Sequence, residues 1–269
     1  MMKLAICSLS SGSSGNCYVV LTGKTAVLVD AGISARQIGQ RLEALGLGLD
    51  RVDAMLITHE HQDHVKGLPV IMKKTACPVL MAEGTGREMP CELPRETMRI
   101  AAGEEFLIGD LTVRSFSVSH DAAQPLGFTF SCEDKKLGIV TDTGCITDEI
   151  FENMAGCDIL VLESNHDENI LRIGRYPWFL KQRILGEKGH LSNDAAAEAL
   201  ANLIEYERAA LGEERRRTVL LAHLSKENNF PEMALATVSN VLEERGIIAG
   251  KNTKIETLSR TETSPVYSV

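Results

Sequence analysis

The chain is poor in aromatic residues, at 4%, and has a single tryptophan. No apolar run approaches the length of a membrane span, which leaves no candidate transmembrane helix. The opening MMKLAICSLSSGSSGN has one lysine and too short an apolar stretch for a signal-peptide core, so the expectation is a cytoplasmic protein with no membrane partner. No two of the seven cysteines (7, 17, 77, 91, 132, 145 and 157) have CxxC spacing, and their number is odd. That argues against a disulfide framework or a Cys-rich zinc site and for reduced thiols, most of them small core residues. An excess of positive charge is missing too. The formal net charge is −9, so any contact with phosphates must be made by a local basic patch. There is no glycine-rich phosphate loop opening a helix, because the SSGSSG turn is followed by a strand pattern.

What is present is an ordinary globular balance, 44% apolar and 24% charged over 269 residues, enough for one layered core. Apolar runs predict strands at Lys3–Leu9, Cys17–Leu21, Ala26–Val29, Ala54–Thr58 and Pro78–Met81. A second series follows at Glu105–Ile108, Thr112–Val118, Gly127–Ser131 and Lys136–Thr141, with links as short as Gly109-Asp110 and Glu133-Asp134. Further strands are expected at Ile159–Leu162, Val219–Ala222 and Lys254–Leu258. Helical spacing covers 34–45, 65–75, Asp148–Met154, a long helix capped by Ser192 or Asn193 and running to about Ala210, and Pro231–Glu244. The strands form two antiparallel-looking groups flanked by helices. Two packed sheets with helices outside fit this order better than a doubly wound parallel sheet.

The segment Thr58-His59-Glu60-His61-Gln62-Asp63-His64 puts three imidazoles and a carboxylate just past a buried strand, a concentration that structure alone rarely needs. These are ligands that suit zinc, and also manganese or iron. In a turn after a strand, His59 and His61 can point at one ion, and Asp63 and His64, entering a helix, at another. The competing account is a polar surface loop with incidental histidines.

HxHxDH after a buried strand resembles the signature of the metallo-β-lactamase superfamily, and further motifs follow in that superfamily's order. The resemblance implies a four-layer αβ/βα sandwich of two mixed β-sheets with helices on both outer faces. It also implies one hydrolase domain over 1–269, in two pseudo-equivalent halves of roughly 1–125 and 126–269. By motif, Asp30 would brace the histidine loop, His120 would join His59 and His61 on one ion, and His223 would complete the Asp63/His64 site. Asp142 would bridge two divalent ions, zinc or manganese with iron as a further option. An aspartate bridge favours two ions held close, which suits phosphoryl displacement. Glu163 and His190 resemble the pair that ribonuclease Z and related nucleases keep beside their metals, with His190 as proton donor and Glu163 as its orienter. Otherwise His190 would only cap the following helix. Asp63, Asp142, Glu163 and His190 are thus the expected catalytic set.

Ser10–Asn16 (SSGSSGN), Glu163–Asp167 (ESNHD), Tyr176–Arg183 (YPWFLKQR), Gly189–Asn193 (GHLSN) and Ala222–Asn229 (AHLSKENN) extend the likeness along the chain. They resemble the YycJ/WalJ/VicX family of bacterial metallo-β-lactamase-fold proteins. The implied activity is a phosphodiesterase on nucleic acid, DNA rather than RNA, with 5′ polarity, a hydroxide formed between the two ions as nucleophile and His190 protonating the departing 3′ oxygen. Arg172, Arg175, Lys181, Arg183 and Lys188 against the single acid Glu187, with Tyr176, Trp178 and Phe179, form the local basic and aromatic stretch such a substrate needs. The alternative is an aromatic cluster pinning a loop to the core. Arg175, Trp178 and Arg183, with His166, Ser192 and Ser225, are the expected substrate contacts, although His166 has no superfamily counterpart. Arg215–Arg217, preceded by Glu213 and Glu214, reads as a solvated helix end. Two other functions stay open: a hydrolase of a lactone, thioester or cyclic phosphodiester on the same metals, and a non-catalytic regulator on the same fold.

Overall fold

The structure, a computed structural model, describes residues 4–93, 97–212 and 215–269. Lys3 and the Glu213–Glu214 flank of the arginine run lie outside the described residues. The strands are β1 (Ala5–Ser10), β2 (Cys17–Leu21), β3 (Ala26–Val29), β4 (Ala54–Leu56), β5 (Val79–Met81), β6 (Met98–Arg99), β7 (Glu105–Ile108), β8 (Leu111–Ser117), β9 (Leu126–Cys132), β10 (Lys135–Val140), β11 (Ile159–Glu163), β12 (Arg217–Ala222), β13 (Thr253–Thr257) and β14 (Tyr267–Ser268). They form two seven-stranded sheets, ordered β14-β1-β2-β3-β4-β5-β6 and β13-β12-β11-β10-β9-β8-β7. The helices are α1 (Ala35–Ala44), α2 (Gln62–Val65), α3 (Leu68–Ile71), α4 (Glu83–Arg87), α5 (Asp148–Met154), α6 (Glu168–Ile173), α7 (Trp178–Leu185), α8 (Asn193–Leu211) and α9 (Pro231–Glu244). Among the described residues no helix is long and apolar enough to cross a membrane.

Two compact units make up the chain: Met1–Ser117 with Ala122–Lys135 and Ser259–Val269, and Val118–Asp121 with Lys136–Leu258. Strand β9 and the C-terminal tail therefore group with the first unit, where sequence order alone would divide the chain near 125. In the first unit β1, β2 and β3 pair antiparallel, whereas β3, β4, β5 and β6 are parallel. Helix α1 begins where the sequence predicts, because Ser34 and Gln37 form a reciprocal capping box. The helix expected over 65–75 is instead two short pieces, α2 and α3. The Gly67 amide donates to Ala31 O at 2.7 Å, and Pro69 brings no N–H, so the ladder cannot run through.

In the second unit β10, β11, β12 and β13 are all parallel. The antiparallel expectation is corrected here: each return passes through a helical crossover, and β11 and the second half of β12 are continuous buried apolar runs, as inner parallel strands are. The arginine run is not simply solvated either. Arg217 is buried at the start of β12 and paired with Glu207 of α8, and Arg215 meets Asp158 at 2.9 Å. All seven cysteines are free, but only Cys7, Cys17 and Cys157 are buried, fewer than expected.

Candidate metal centre

In the first unit the candidate residues stand at the ends of β3 and β4. Asp30, buried at the end of β3, accepts from the Thr58 amide through Oδ1 at 2.8 Å and from His64 Nδ1 through Oδ2 at 2.7 Å. A carboxylate can only accept, so Nδ1 of His64 carries the proton and Nε2 keeps its lone pair. Burial pushes the Asp30 carboxyl up, and the neighbouring His64 pulls it part of the way back. The Thr58 hydroxyl donates to Asp30 Oδ2 at 2.9 Å and can accept from His59 Nδ1 at 3.0 Å, which sets the same tautomer on His59. His59 Nε2 and His61 Nδ1 then stand 3.1 Å apart. Two nitrogens at 2.0–2.1 Å from a tetrahedral ion are separated by about 3.3 Å, so this spacing fits a shared divalent ion. His61 is the N-cap of α2, and Asp63 and His64 occupy its first turn.

This loop lies against the chain that follows Asp30. A Cβ on Gly32 would sit 1.7 Å from Asp63 O, so only glycine fits there. Asn16 also holds the loop: its amide donates to Asp63 O at 2.7 Å, and its Nδ2 lies 3.0 Å from His64 Nε2. Asn16 closes the SSGSSGN turn, where its side chain also accepts from the Gly12 amide at 2.8 Å. Sequence reasoning gave it no role, although the motif that ends in it was on view.

In the second unit Asp142, Glu163 and His223 stand at the carboxyl ends of the parallel strands β10, β11 and β12, where open α/β sheets place their ligands. Ligand atoms of Asp142, Glu163, His190 and His223 lie within 4.8 Å of one another. Glu163 is the centre of the group. Its Oε1 accepts from Nδ1 of His190 at 2.7 Å and from Nδ1 of His223 at 2.9 Å, and its Oε2 accepts from the Thr143 amide at 2.8 Å. Burial alone would raise this carboxyl, but His190 beside it and the hydrogen bonds from both histidines lower it to about 2. His120 donates Nδ1–H to Gly189 O at 3.0 Å, and burial lowers its pKa. His64, His120 and His223 therefore all commit Nδ1 and present Nε2, the donor form a divalent ion needs.

His190 does not cap α8; Ser192 does, accepting from the Ala195 amide at 3.1 Å. The Ser225 hydroxyl closes a turn with the Asn228 amide at 3.3 Å. His166 is 1% exposed with neither ring nitrogen hydrogen-bonded, and burial lowers its pKa to about 4. Four further buried residues tie the three loops of this site together. Ser164 Oγ donates to Asn193 Oδ1 at 2.6 Å, Asn165 Nδ2 to His223 O at 2.8 Å, and Asn229 Nδ2 to Asn165 O at 3.0 Å and Asn193 Oδ1 at 2.9 Å. Asp30, Asp142 and His223 share a further trait: left-handed backbone, with φ of 62°, 56° and 56°. Non-glycine residues seldom adopt it, and its recurrence at three candidate site residues marks strained positions.

The family model of the β-lactamase superfamily domain matches residues 25–211. The chain belongs to that superfamily. Within it the chain falls in the YycJ/WalJ family. It is 40% identical to exodeoxyribonuclease YycJ of Bacillus anthracis over 254 residues, 93% of each chain. It is 36% identical to exodeoxyribonuclease WalJ of Streptococcus pneumoniae over 269 residues, 97% of this chain and 96% of that protein. The metallo-β-lactamase fold is shared with solved structures of low sequence identity. Unliganded yeast PDE1 matches at TM-score 0.72 and 13% identity over 98% of this chain and 99% of that one. The fold protein YhfI of Bacillus subtilis matches at 0.68 and 12% over 97% and 99%.

Proposed function

We propose that this superfamily member is a metal-dependent exodeoxyribonuclease that attacks DNA from the 5′ end in the cytoplasm, with the whole chain as one hydrolase domain. The observation that carries the reading is the Glu163–His190 hydrogen bond of 2.7 Å beside Asp142 and His223. Motif order names His59, His61, Asp63, His64, His120, Asp142 and His223 as the residues that hold two divalent ions, zinc or manganese. Such ions acidify a water and offset charge on the phosphoryl oxygens.

The chain's own residues supply the rest. Glu163 stays ionised at neutral pH and holds Nδ1 of His190, which directs the proton the ring can release to Nε2. That proton goes to the departing 3′ oxygen, and the imidazole left behind is fixed for the next cycle. His190 is 19% exposed, enough for a substrate oxygen to reach it, whereas Glu163 is fully enclosed and acts only through its neighbours. Arg175, Trp178 and Arg183 would contact the substrate strand, and the buried His166, Ser192 and Ser225 would line the site beneath it.

The test is hydrolysis of 5′-labelled single- and double-stranded DNA by protein reconstituted with zinc or manganese, with Asp142→Ala as the control for contaminating nuclease. Metal-dependent release of 5′ nucleotides that the variant lacks is the expected result. Turnover of bis(p-nitrophenyl) phosphate or a lactone with no cleavage of DNA or RNA would replace this reading with a small-molecule hydrolase. His190→Ala should lower kcat by roughly 10²–10⁴-fold with metal content unchanged. Loss of metal in that variant would refute the proton-donor role.

A further inference from the structure

Trp178 and Phe179 do not pin the α7 loop. Trp178 is 61% exposed, Phe179 72% and Ile173 86%. The clamp is Lys181, which is 8% exposed and donates from Nζ to Arg172 O and Gly174 O, both at 2.7 Å. Packing thus gives the two rings nothing to do, and the helix places both on its solvent face. Residues four apart share a helical face, so Phe179 lies in line with Arg183. Arg183 is ion-paired with Asp121, the neighbour of His120, through Nη2 at 3.1 Å and a second contact from Nε. At the same end of the helix the His190 amide donates to Ile184 O at 3.0 Å. The exposed face of α7 therefore runs from two bare aromatic rings, with Arg172 and Arg175 beside them, to the loops that carry His120 and His190.

We propose that this face is a stacking platform for unpaired bases of a polynucleotide, which makes Trp178 and Phe179 binding residues for a stretch of strand rather than for the reacting nucleotide. The inference rests on the nuclease reading and deepens it. Charge selects the occupant: on a chain of net charge −9, residues 172–188 hold five cations against one acid. Lys181 is committed to the clamp, Arg172 is paired to Glu168 at 2.9 Å and Arg183 is paired to Asp121. Arg175 and Lys188 beside those two arginines give the face its local match to a phosphate backbone. Geometry sets the footprint. From Trp178 to Ile184 the helix rises about 9 Å, at 1.5 Å per residue. At the ~3.4 Å spacing of a stacked strand, the helix alone spans about three nucleotides, so the rings lie at least that far from the bond to be cut. The enzyme should therefore handle oligonucleotides of about four residues and longer far better than dinucleotides.

Because Trp178 is the only tryptophan, its fluorescence reports on this face alone. The metal-reconstituted protein is titrated with hydrolysis-resistant phosphorothioate oligothymidylates of increasing length, with fluorescence quenching and the anisotropy of a strand label read together. Stacking predicts saturable quenching that begins near four nucleotides, with binding weakened roughly ten-fold or more by Phe179→Ala. That variant should melt with the wild type, since Lys181 does the pinning. Blunt duplexes and duplexes with 5′ overhangs distinguish a frayed end from a free single strand as the source of the bases. Strand binding by anisotropy without quenching, and unchanged by Phe179→Ala, would overturn the platform and leave the nuclease standing. Neither binding nor cleavage of any DNA would remove both.

Discussion

Glu163 divides its two oxygens among both histidines and the chain beside Asp142, so its charge is shared between a candidate metal ligand and the proposed proton donor. An amide in its place keeps one accepting oxygen and turns an N–H₂ toward groups that themselves donate. Glu163→Gln should therefore lower metal affinity by about 10–100-fold as well as turnover, measured by metal titration beside kcat. An effect on turnover alone would mean that the contact with His223 is incidental. His166 gives a pH prediction. Unfolded, it takes a proton near pH 6.5; folded, only near 4. Between those values the unfolded chain binds more protons, so stability falls as the pH falls. Across that window the loss approaches about 3 kcal/mol. In metal-free protein, denaturant midpoints for His166→Phe should be flatter from pH 6.5 to 4 than for the wild type, and parallel profiles would show that His166 is not the group responsible.

At the scale of elements, the site is three loops held in register by buried amides. Asn229 reaches Ser164 O, Asn165 O and Asn193 Oδ1, so its removal leaves buried acceptors without donors. Asn229→Ala should cost about 1–3 kcal/mol by chemical denaturation, with kcat falling more than KM changes because Glu163, His190 and His223 lose their common frame. None of this network was legible in the sequence. Asparagine carries no periodicity, and its partners lie up to 65 residues apart. Helix α1, expected over 34–45 and found at Ala35–Ala44, was legible to within a residue at each end because Ile38, Leu42 and Leu45 recur at helical spacing. Helices α6 and α7 were not: they are short, and α7 turns most of its residues to solvent, which removes the apolar stripe that marks a helix. The histidine cluster was legible as a concentration of ligands after a buried strand, whereas Asp30, Asp142 and Glu163, each at the end of an apolar strand, were legible only through the motif resemblance.

For the whole molecule, the proposed nuclease function makes the acidic total and the basic α6–α7 stretch decide how a strand would be held. Exposed cations there number about four (Arg172, Arg175, Arg183 and Lys188), so log K against log salt for single strands should have a slope no steeper than about −3. A titration from 50 to 300 mM salt measures it, and a slope near −6 would require a second basic surface. Strand direction was the part of the fold that sequence pattern could not supply. An apolar run reads alike in parallel and antiparallel sheets, and only a two-residue link such as Gly109-Asp110, which does join an antiparallel pair, fixes the sense locally. Elsewhere the crossovers decide it, and two of those helices were hidden from the pattern.

Asp30, Asp142 and His223 all hold a left-handed backbone that glycine would adopt without strain. A chance mutation to glycine at any of them removes a functional group and relaxes the main chain in the same step. Descendants of this protein released from selection for catalysis would thus drift toward inactive versions in which relief of main-chain strain offsets part of the cost of the lost buried hydrogen bonds. Their telltale mark would be glycine at the ends of β3, β10 and β12, with the apolar strands before them unchanged.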